Sequence, residues 1–409
     1  MRILFLLTQD LQSPSGLGRH FPLAKSLAAR GHQVHIAALH GDFDHLSIKE
    51  FTEQGVSVQY VAQMHVRKTG NEKTYFSSWG LIWRALQATW RLSQAARQHP
   101  ADIIHVFKPH PMNSIAGLAG KLGRHSRLFL DCDDREAGGH FTGSWQRRGV
   151  EFFENWMPRW VDHITTHNSD LENFLLGLGV PQSKITYLPN GVDFQRFGSL
   201  DPEIVNHLRN QLGLNDIRVV AFIGTLGLVS HPVDLLMKAF VSVHDQLPDS
   251  RLLIVGGGED IQKLHEMATK LGIQGEVLFT GRVAPDQIPA YYRLAEAVVD
   301  PVYDNPVGRS RLPLKLFESW AMKIPFITGD VGDRRRVMGT PPAGILVPPG
   351  DPEALAQGIL QVLTQPGLAE AITKLGTERA PEYDWNELAK IVETAYQNSL
   401  AASIQHPNN

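Results

Sequence analysis

Residues 1–40, MRILFLLTQDLQSPSGLGRHFPLAKSLAARGHQVHIAALH, decide the fold class. Ile3–Leu7 is an unbroken apolar run of strand length. Thr8–Gly18 is a polar loop with Gly16 and Gly18. Phe21–Arg30 has helical spacing, with Leu23, Ala24, Leu27 and Ala28 on one stripe, and Gly31 is a natural stop. Val34–Leu39 is the next strand. Strands apolar on both faces need cover on both, so this strand–loop–helix–strand unit predicts a parallel sheet between helical layers.

The pattern recurs. Ile103–Phe107 precedes a small-residue helix at Ser114–Leu122, and Leu128–Leu130 precedes Asp131. A second series follows Pro189-Asn190-Gly191, with strands at Val219–Ile223, Leu252–Val255, Val277–Phe279, Val298–Val299 and Phe326–Thr328. Helical segments such as Leu235–Val243 lie between them. With 409 residues, the chain is long enough for two such units. The reading is α/β, two Rossmann-like doubly wound domains over 1–194 and 195–384. Ligands of open parallel sheets bind beyond the carboxyl ends of the strands, so the expected site is a cleft across which the domains face. Trp385–Ser399 reads as an amphipathic helix with Leu388, Ile391, Val392 and Ala395 on its apolar stripe.

Composition narrows the classes. With 39 basic and 42 acidic side chains the formal charge is −3, which argues against nucleic acid as a partner. Cys132 is the single cysteine, so no disulfide framework or thiolate metal cluster is expected, and a reducing, cytoplasmic setting fits. The run Ile3–Leu7 is shorter than the roughly 7–15 residues of a secretion-signal core. No apolar stretch approaches the roughly 20 residues that span a bilayer.

The richest chemistry lies in Asp300–Asp330, DPVYDNPVGRSRLPLKLFESWAMKIPFITGD. It opens at a strand end and becomes a loop with Gly308, Arg309 and Arg311. Pro313 suits a first helical turn, and Leu316, Phe317, Trp320 and Ala321 form a buried stripe. A helix N-terminus flanked by Arg309, Arg311 and Lys315 is built for a diphosphate. Glu318, one turn beyond Lys315, can accept two hydrogen bonds from a vicinal diol such as a ribose; the plain alternative is an exposed Lys315–Glu318 pair. The loop Ser13–Gly18 reads as an anion cradle or as a tight turn, and Gly256-Gly257-Gly258 as a turn, because Glu259 and Asp260 repel phosphate.

Asp131, Asp133 and Asp134 crowd another strand end and call for a cation. A divalent metal, an acceptor hydroxyl in need of a base, and a solvated helix cap are the three readings. Cys132 reads as a small buried hydrophobe. His163 and His167 stand on a predicted strand, too far apart to share an ion, and no metal is expected. Six of the eight tryptophans fall in 79–160. Between Lys73 and Ala101 no acidic residue occurs, while Arg84, Arg91 and Arg97 alternate with Trp79, Trp83 and Trp90. A helix over 77–99 would lie on an anionic membrane or pack on the sheet with its arginines in water. The aromatic stretch Phe141–Trp160 could line an acceptor site.

Four motifs occur in order: Ala28-Ala29-Arg30-Gly31-His32-Gln33-Val34, Leu188-Pro189-Asn190-Gly191-Val192-Asp193, Leu312-Pro313-Leu314-Lys315-Leu316-Phe317-Glu318, and Gly344–Leu355 (GILVPPGDPEAL). Together they make the sequence resemble the family-four retaining glycosyltransferases of GT-B fold (glycosyl transferases group 1), over nearly the whole chain. The resemblance implies transfer of a hexosyl-type sugar from a UDP-, GDP- or ADP-sugar to a glycan, lipid or small-molecule hydroxyl, without a metal. It implies a final helix, 385–403, that crosses back to the first domain. It assigns the diphosphate to Gly16, Gly18, Gly224 and the neighbourhood of Leu314, the base to Arg282 and Val283, and the ribose to Glu318. The sequence departs from the family at Ser310, where a second glutamate is usual, and at Thr225 and His231, where the family has its Arg and Lys. Arg309, Arg311 and Lys315 are the expected substitutes for that clamp, and Asp133 or Asp134 for an acceptor-side histidine that falls near Cys132. These departures leave two alternatives: a degenerate relative that binds a nucleotide or a protein, and a sugar-nucleotide epimerase.

Overall fold

The computed structural model describes residues 1–69, 72–139, 144–198 and 200–405. It divides into two compact units. The first comprises Met1–Pro189 with the helix Trp385–Gln405, and the second Asn190–Asp384. The break falls five residues before the expected 194/195 boundary because Asn190 and Val192 are anchored in the second unit. Asn190 Nδ2 donates to the Leu312 carbonyl (2.7 Å). Val192 N donates to the Tyr383 carbonyl (2.9 Å).

The first unit contains β1 (Arg2–Leu7), β2 (Gln33–His40), β3 (Glu50–Glu53), β4 (Val56–Gln63), β5 (Val66–Thr69), β6 (Glu72–Tyr75), β7 (Ile103–Phe107), β8 (Arg127–Cys132), β9 (His163–Thr166) and β10 (Ile185–Tyr187). The main sheet runs β10-β9-β8-β7-β1-β2-β4-β3 and is parallel except for β3 on β4; β5 and β6 form a separate hairpin. Alternation along β1 explains the two layers. Leu4 and Leu6 face Ala88 and Leu92 of the helix Ser78–Gln98 and Ala116 of the helix Pro111–Lys121. Ile3, Phe5 and Leu7 face Leu23 and Leu27 of the helix Phe21–Ala29 and the terminal helix. That terminal helix buries Trp385, Leu388, Ala389, Val392 and Tyr396, whereas Ile391, expected on the stripe, is 38% exposed.

The second unit contains β11 (Arg218–Ile223), β12 (Ser250–Val255), β13 (Val277–Gly281), β14 (Ala297–Asp300), β15 (Phe326–Gly329) and β16 (Ile345–Val347). They form one parallel sheet in the order β13-β12-β11-β14-β15-β16. Among the parallel strands of each sheet the chain order switches direction between β1 and β7 in the first unit and between β11 and β14 in the second. A crevice opens beyond the carboxyl ends of strands at such a switch point. The functional residues should therefore follow Leu7, Phe107, Ile223 and Asp300.

Candidate functional site

In the second unit the switch point is organised by Asp300, the last residue of β14 and fully buried. Three cations converge on its carboxylate. Lys315 Nζ lies 2.9 Å from Oδ1, and Arg311 and Arg334 lie 2.8 and 3.2 Å from Oδ2. Burial works to raise the Asp300 carboxyl, but the three cations together hold it far below the usual carboxylate range. Burial lowers the Lys315 ammonium against the pull of Asp300, and brings Arg334 down to about 10. The cluster carries three positive groups and one negative, so a net charge of +2 is buried. Arg311 Nε is buried without a hydrogen-bond partner. A buried excess of cations is costly unless an anion joins it.

The local sequence explains the placement. Asn305 caps the short helix Pro306–Ser310 through the amide of Gly308 (2.8 Å). Pro313 stands just before the helix Leu314–Met322, and Lys323 ends it in the left-handed conformation (φ 58°). Leu316, Phe317 and Trp320 are buried as the stripe predicts, which fixes Lys315 on the side facing the strand ends. The Lys315 ammonium lies 4.2 Å from the Phe222 ring centroid and next to Gly224, the residue after β11. Arg311 donates to the Ser230 carbonyl, beside His231. Two cations thus reach the loop where Thr225 and His231 bring no fixed charge.

The placement corrects parts of the sequence reading. Arg309 is not in the cluster: it bonds Asp304 (2.5 Å) and its side chain is 51% exposed. Arg334, from a five-residue helix 34 residues beyond Asp300, takes that place. Lys315 pairs with Asp300 and not with Glu318. Glu318 instead accepts from the Tyr292 hydroxyl (2.6 Å). Ser310 is buried and donates to the Val307 carbonyl (3.3 Å). Arg282 packs along Gly257, and Val283 lies against the core of this unit. A Cβ on Gly256 would sit 1.9 Å from the Gly224 carbonyl oxygen, so the β11 and β12 loops touch through glycine backbone.

The first unit's switch point is more heavily charged. Thr8 follows β1 and Lys108 follows β7. His110 links Thr8 to Glu136, with Nδ1 2.8 Å from Thr8 Oγ1 and Nε2 3.0 Å from Glu136 Oε2. Lys108 holds the left-handed conformation (φ 69°), a strained state for a non-glycine residue. Its buried ammonium contacts Asp133 (3.1 Å), Asp134 (3.5 Å) and Glu136. Burial would lower the ammonium, but these carboxylates raise it well above its usual value. Burial raises the Asp133 carboxyl; Lys108 opposes this. Asp131 is bound through both oxygens by the buried Arg19 guanidinium (2.7 and 2.8 Å). The cations that the aspartates call for are therefore Lys108 and Arg19, neither of them among the expected site residues. Cys132 is buried. His163 bonds Thr186 (2.8 Å). A Cβ on Gly16 would lie 2.5 Å from the Asp10 carbonyl, and the Gly18 carbonyl accepts from Trp385 Nε1 (2.9 Å). Both glycines thus shape the turn that enters the first helix.

The basic aromatic helix runs Ser78–Gln98 and seats on the sheet through Ala88, Leu92, Ala95 and Ala96. Its tryptophans face outward: Trp79, Trp83 and Trp90 are 82, 65 and 59% exposed. Of the aromatic stretch 141–160, residues 141–143 lie outside the described residues; Trp145, Phe152 and Trp160 are exposed.

Family models match both units: a glycosyl transferase 4-like domain over residues 16–191, and glycosyl transferases group 1 over residues 217–365. The chain belongs to this glycosyltransferase family. Its fold is GT-B. Sucrose-phosphate synthase from Thermosynechococcus elongatus superposes with a TM-score of 0.77 at 19% identity, covering 98% of this chain and 100% of that one. Anabaena HepE in complex with UDP-glucose gives 0.75 at 18% identity, covering 98% and 100%. Among curated relatives, a GDP-mannose-dependent alpha-(1-6)-phosphatidylinositol monomannoside mannosyltransferase of Mycolicibacterium smegmatis is 28% identical over 198 residues, 48% of this chain and 51% of that protein. A D-inositol 3-phosphate glycosyltransferase of Acidothermus cellulolyticus is 28% identical over 252 residues, 59% of this chain and 54% of that protein. The matches span about half the length of these relatives. Among the described residues, no helix of this glycosyltransferase-family chain is long and apolar enough to cross a membrane.

Proposed function

We propose that the protein transfers a sugar, with retained anomeric configuration, from a nucleotide-diphosphate sugar to a hydroxyl of a glycan, lipid or small-molecule acceptor. The observation that carries this reading is the buried excess of cations around Asp300. The diphosphate binds against Arg311 and Lys315, at the carboxyl ends of β11 and β14, and Arg334 holds Asp300 in place. The departing diphosphate gains negative charge as the glycosidic bond breaks, and cations already fixed in place lower that barrier without reorganisation. These side chains supply the charge, so no metal is required. Glu318 takes the ribose hydroxyls, oriented by Tyr292. Arg282 and Val283 stand by the base, and Gly224 and Thr225 line the diphosphate. The acceptor lies in the first unit, at Asp133.

The outward tryptophans of the helix Ser78–Gln98 support contact with an anionic membrane surface, which suits a lipid-linked acceptor. These tryptophans would sit at the headgroup level with the exposed Arg91 and Arg97, while Arg84 is half-buried, 3.5 Å from Asp44. Over residues 74–130 the single acidic residue is Asp102, and it is paired with Arg2 (2.9 Å).

Incubation with UDP-, GDP- and ADP-sugars tests the reading. Transfer or donor hydrolysis lost in Lys315→Ala and Glu318→Ala is the expected result. An isomerised donor released without an acceptor points to an epimerase, and binding without turnover to a degenerate relative.

A further inference from the structure

We infer that the acceptor is a neutral polyol or sugar hydroxyl, not a phosphate ester, and that His20 and Asp133 grip it. This inference rests on the glycosyl-transfer reading above and narrows its acceptor.

His20 follows Arg19 in the turn Gly16–His20 and is 1% exposed. Both its ring nitrogens are buried without a hydrogen-bond partner. The ring packs on Phe107, centroid to centroid 4.6 Å. One ring nitrogen and a carboxylate oxygen from each of Asp131 and Asp133 lie within 4.8 Å of one another. Burial holds the imidazole neutral, down to about 3, so it presents one N–H and one lone pair. A buried polar atom without a partner is costly, so an unpartnered imidazole beside a carboxylate favours binding of a ligand group that bonds both. A hydroxyl fits both: it accepts from His20 N–H and donates to Asp133.

The surrounding charge sets the class. Asp133, Asp134 and Glu136 each offer an oxygen within 4.8 Å of the others. The cations that face them are committed, Lys108 to these three and Arg19 to Asp131. Glu154 adds a fourth buried carboxylate, accepting from the amide of Glu136 (3.0 Å) and facing Arg135 at 3.7 Å. A phosphate dianion would meet like charge with no free cation among the groups named. A neutral hydroxyl pays no such penalty. In the step itself the acceptor oxygen bonds to the sugar carbon as the bond from that carbon to the diphosphate oxygen breaks. The electron pair leaves with the diphosphate, and the hydroxyl proton passes to Asp133.

The test uses the full chain with UDP-glucose, GDP-mannose and ADP-glucose against matched pairs: myo-inositol and its 3-phosphate, glucose and its 6-phosphate, glycerol and its 3-phosphate. Expected is product from at least one neutral member, with kcat/KM at least about tenfold above its phosphate ester. Asp134→Lys should narrow or reverse that preference. His20→Ala should raise the acceptor KM by at least about tenfold, and His20→Asn, which keeps a donor and an acceptor, should recover part of the loss. Preference for a phosphate ester, or donor hydrolysis with no neutral member accepted, overturns the inference. If no donor is bound or cleaved, the glycosyl-transfer reading falls, and this one with it.

Discussion

Asp300→Asn removes one charge from the centre of the second unit and leaves the shape unchanged. Arg311, Lys315 and Arg334 then remain buried with no carboxylate between them. Breaking a buried ion pair by removing one partner costs about 3–5 kcal/mol. For a unit of about 200 residues each kcal/mol moves Tm by about 2–4 °C, so a fall of roughly 6–20 °C is expected by calorimetry. A nucleoside diphosphate should counter part of the loss, since a ligand at 100 times its Kd stabilises the folded state by about 2.7 kcal/mol. The stabilisation should be at least as large in the variant as in the parent, because more positive charge then faces the anion. A Tm shift below about 2 °C, or a variant that nucleoside diphosphates do not stabilise, would refute the reasoning.

Three further predictions concern the first unit. His20, His105 and His167 are buried and neutral, each down to about 3, and His35 is down to about 4. Their unfolded forms take up protons below about pH 6.5, so stability is lost as pH falls from 6.5 towards 4, by about 1.4 kcal/mol per pH unit per group. Asp133 and Glu154, raised by burial, act in the opposite sense and offset part of this loss. Urea unfolding between pH 7 and 4.5 that shows no such slope contradicts this. Lys108→Met removes the cation that opposes the rise of the Asp133 carboxyl, so the acid limb of the transfer rate should move to higher pH; an unmoved limb separates Asp133 from the proton transfer. Replacing Trp79, Trp83 and Trp90 together by Ser should lower sedimentation with phosphatidylserine vesicles at least about tenfold with little change in Tm; equal sedimentation removes the membrane role.

The sequence carries the fold well where apolar strands run into glycine loops and helices, as in β1, β2, β7 and β11 to β15. It carries β3 and β10 poorly. β3 is an edge strand of four residues, three of them polar, and β10 has only three. The helix Leu314–Met322 is legible from Pro313, its apolar stripe and Pro325. The Asp300 cluster is only half legible. Arg311 and Lys315 stand close in sequence to Asp300, but Arg334 reaches it only because β15 lies beside β14. Arg309 misled because sequence spacing says nothing of the local Asp304, which captures it. Lys108 has a sequence signal, a lysine directly after an apolar strand, where ligands of such sheets bind. The sequence leaves open which way the tryptophans of the helix Ser78–Gln98 face; burial of Ala88, Leu92, Ala95 and Ala96 against the sheet turns them outward.

Titration of UDP, GDP and ADP into the parent protein and into the double variant Arg311→Met, Lys315→Met tests the central claim most directly. The account predicts that at least one of the three binds the parent, and that the double variant loses at least about 100-fold in affinity, the loss expected for two charge-assisted contacts of about 1.5–3 kcal/mol each. Equal affinity in parent and variant would contradict it.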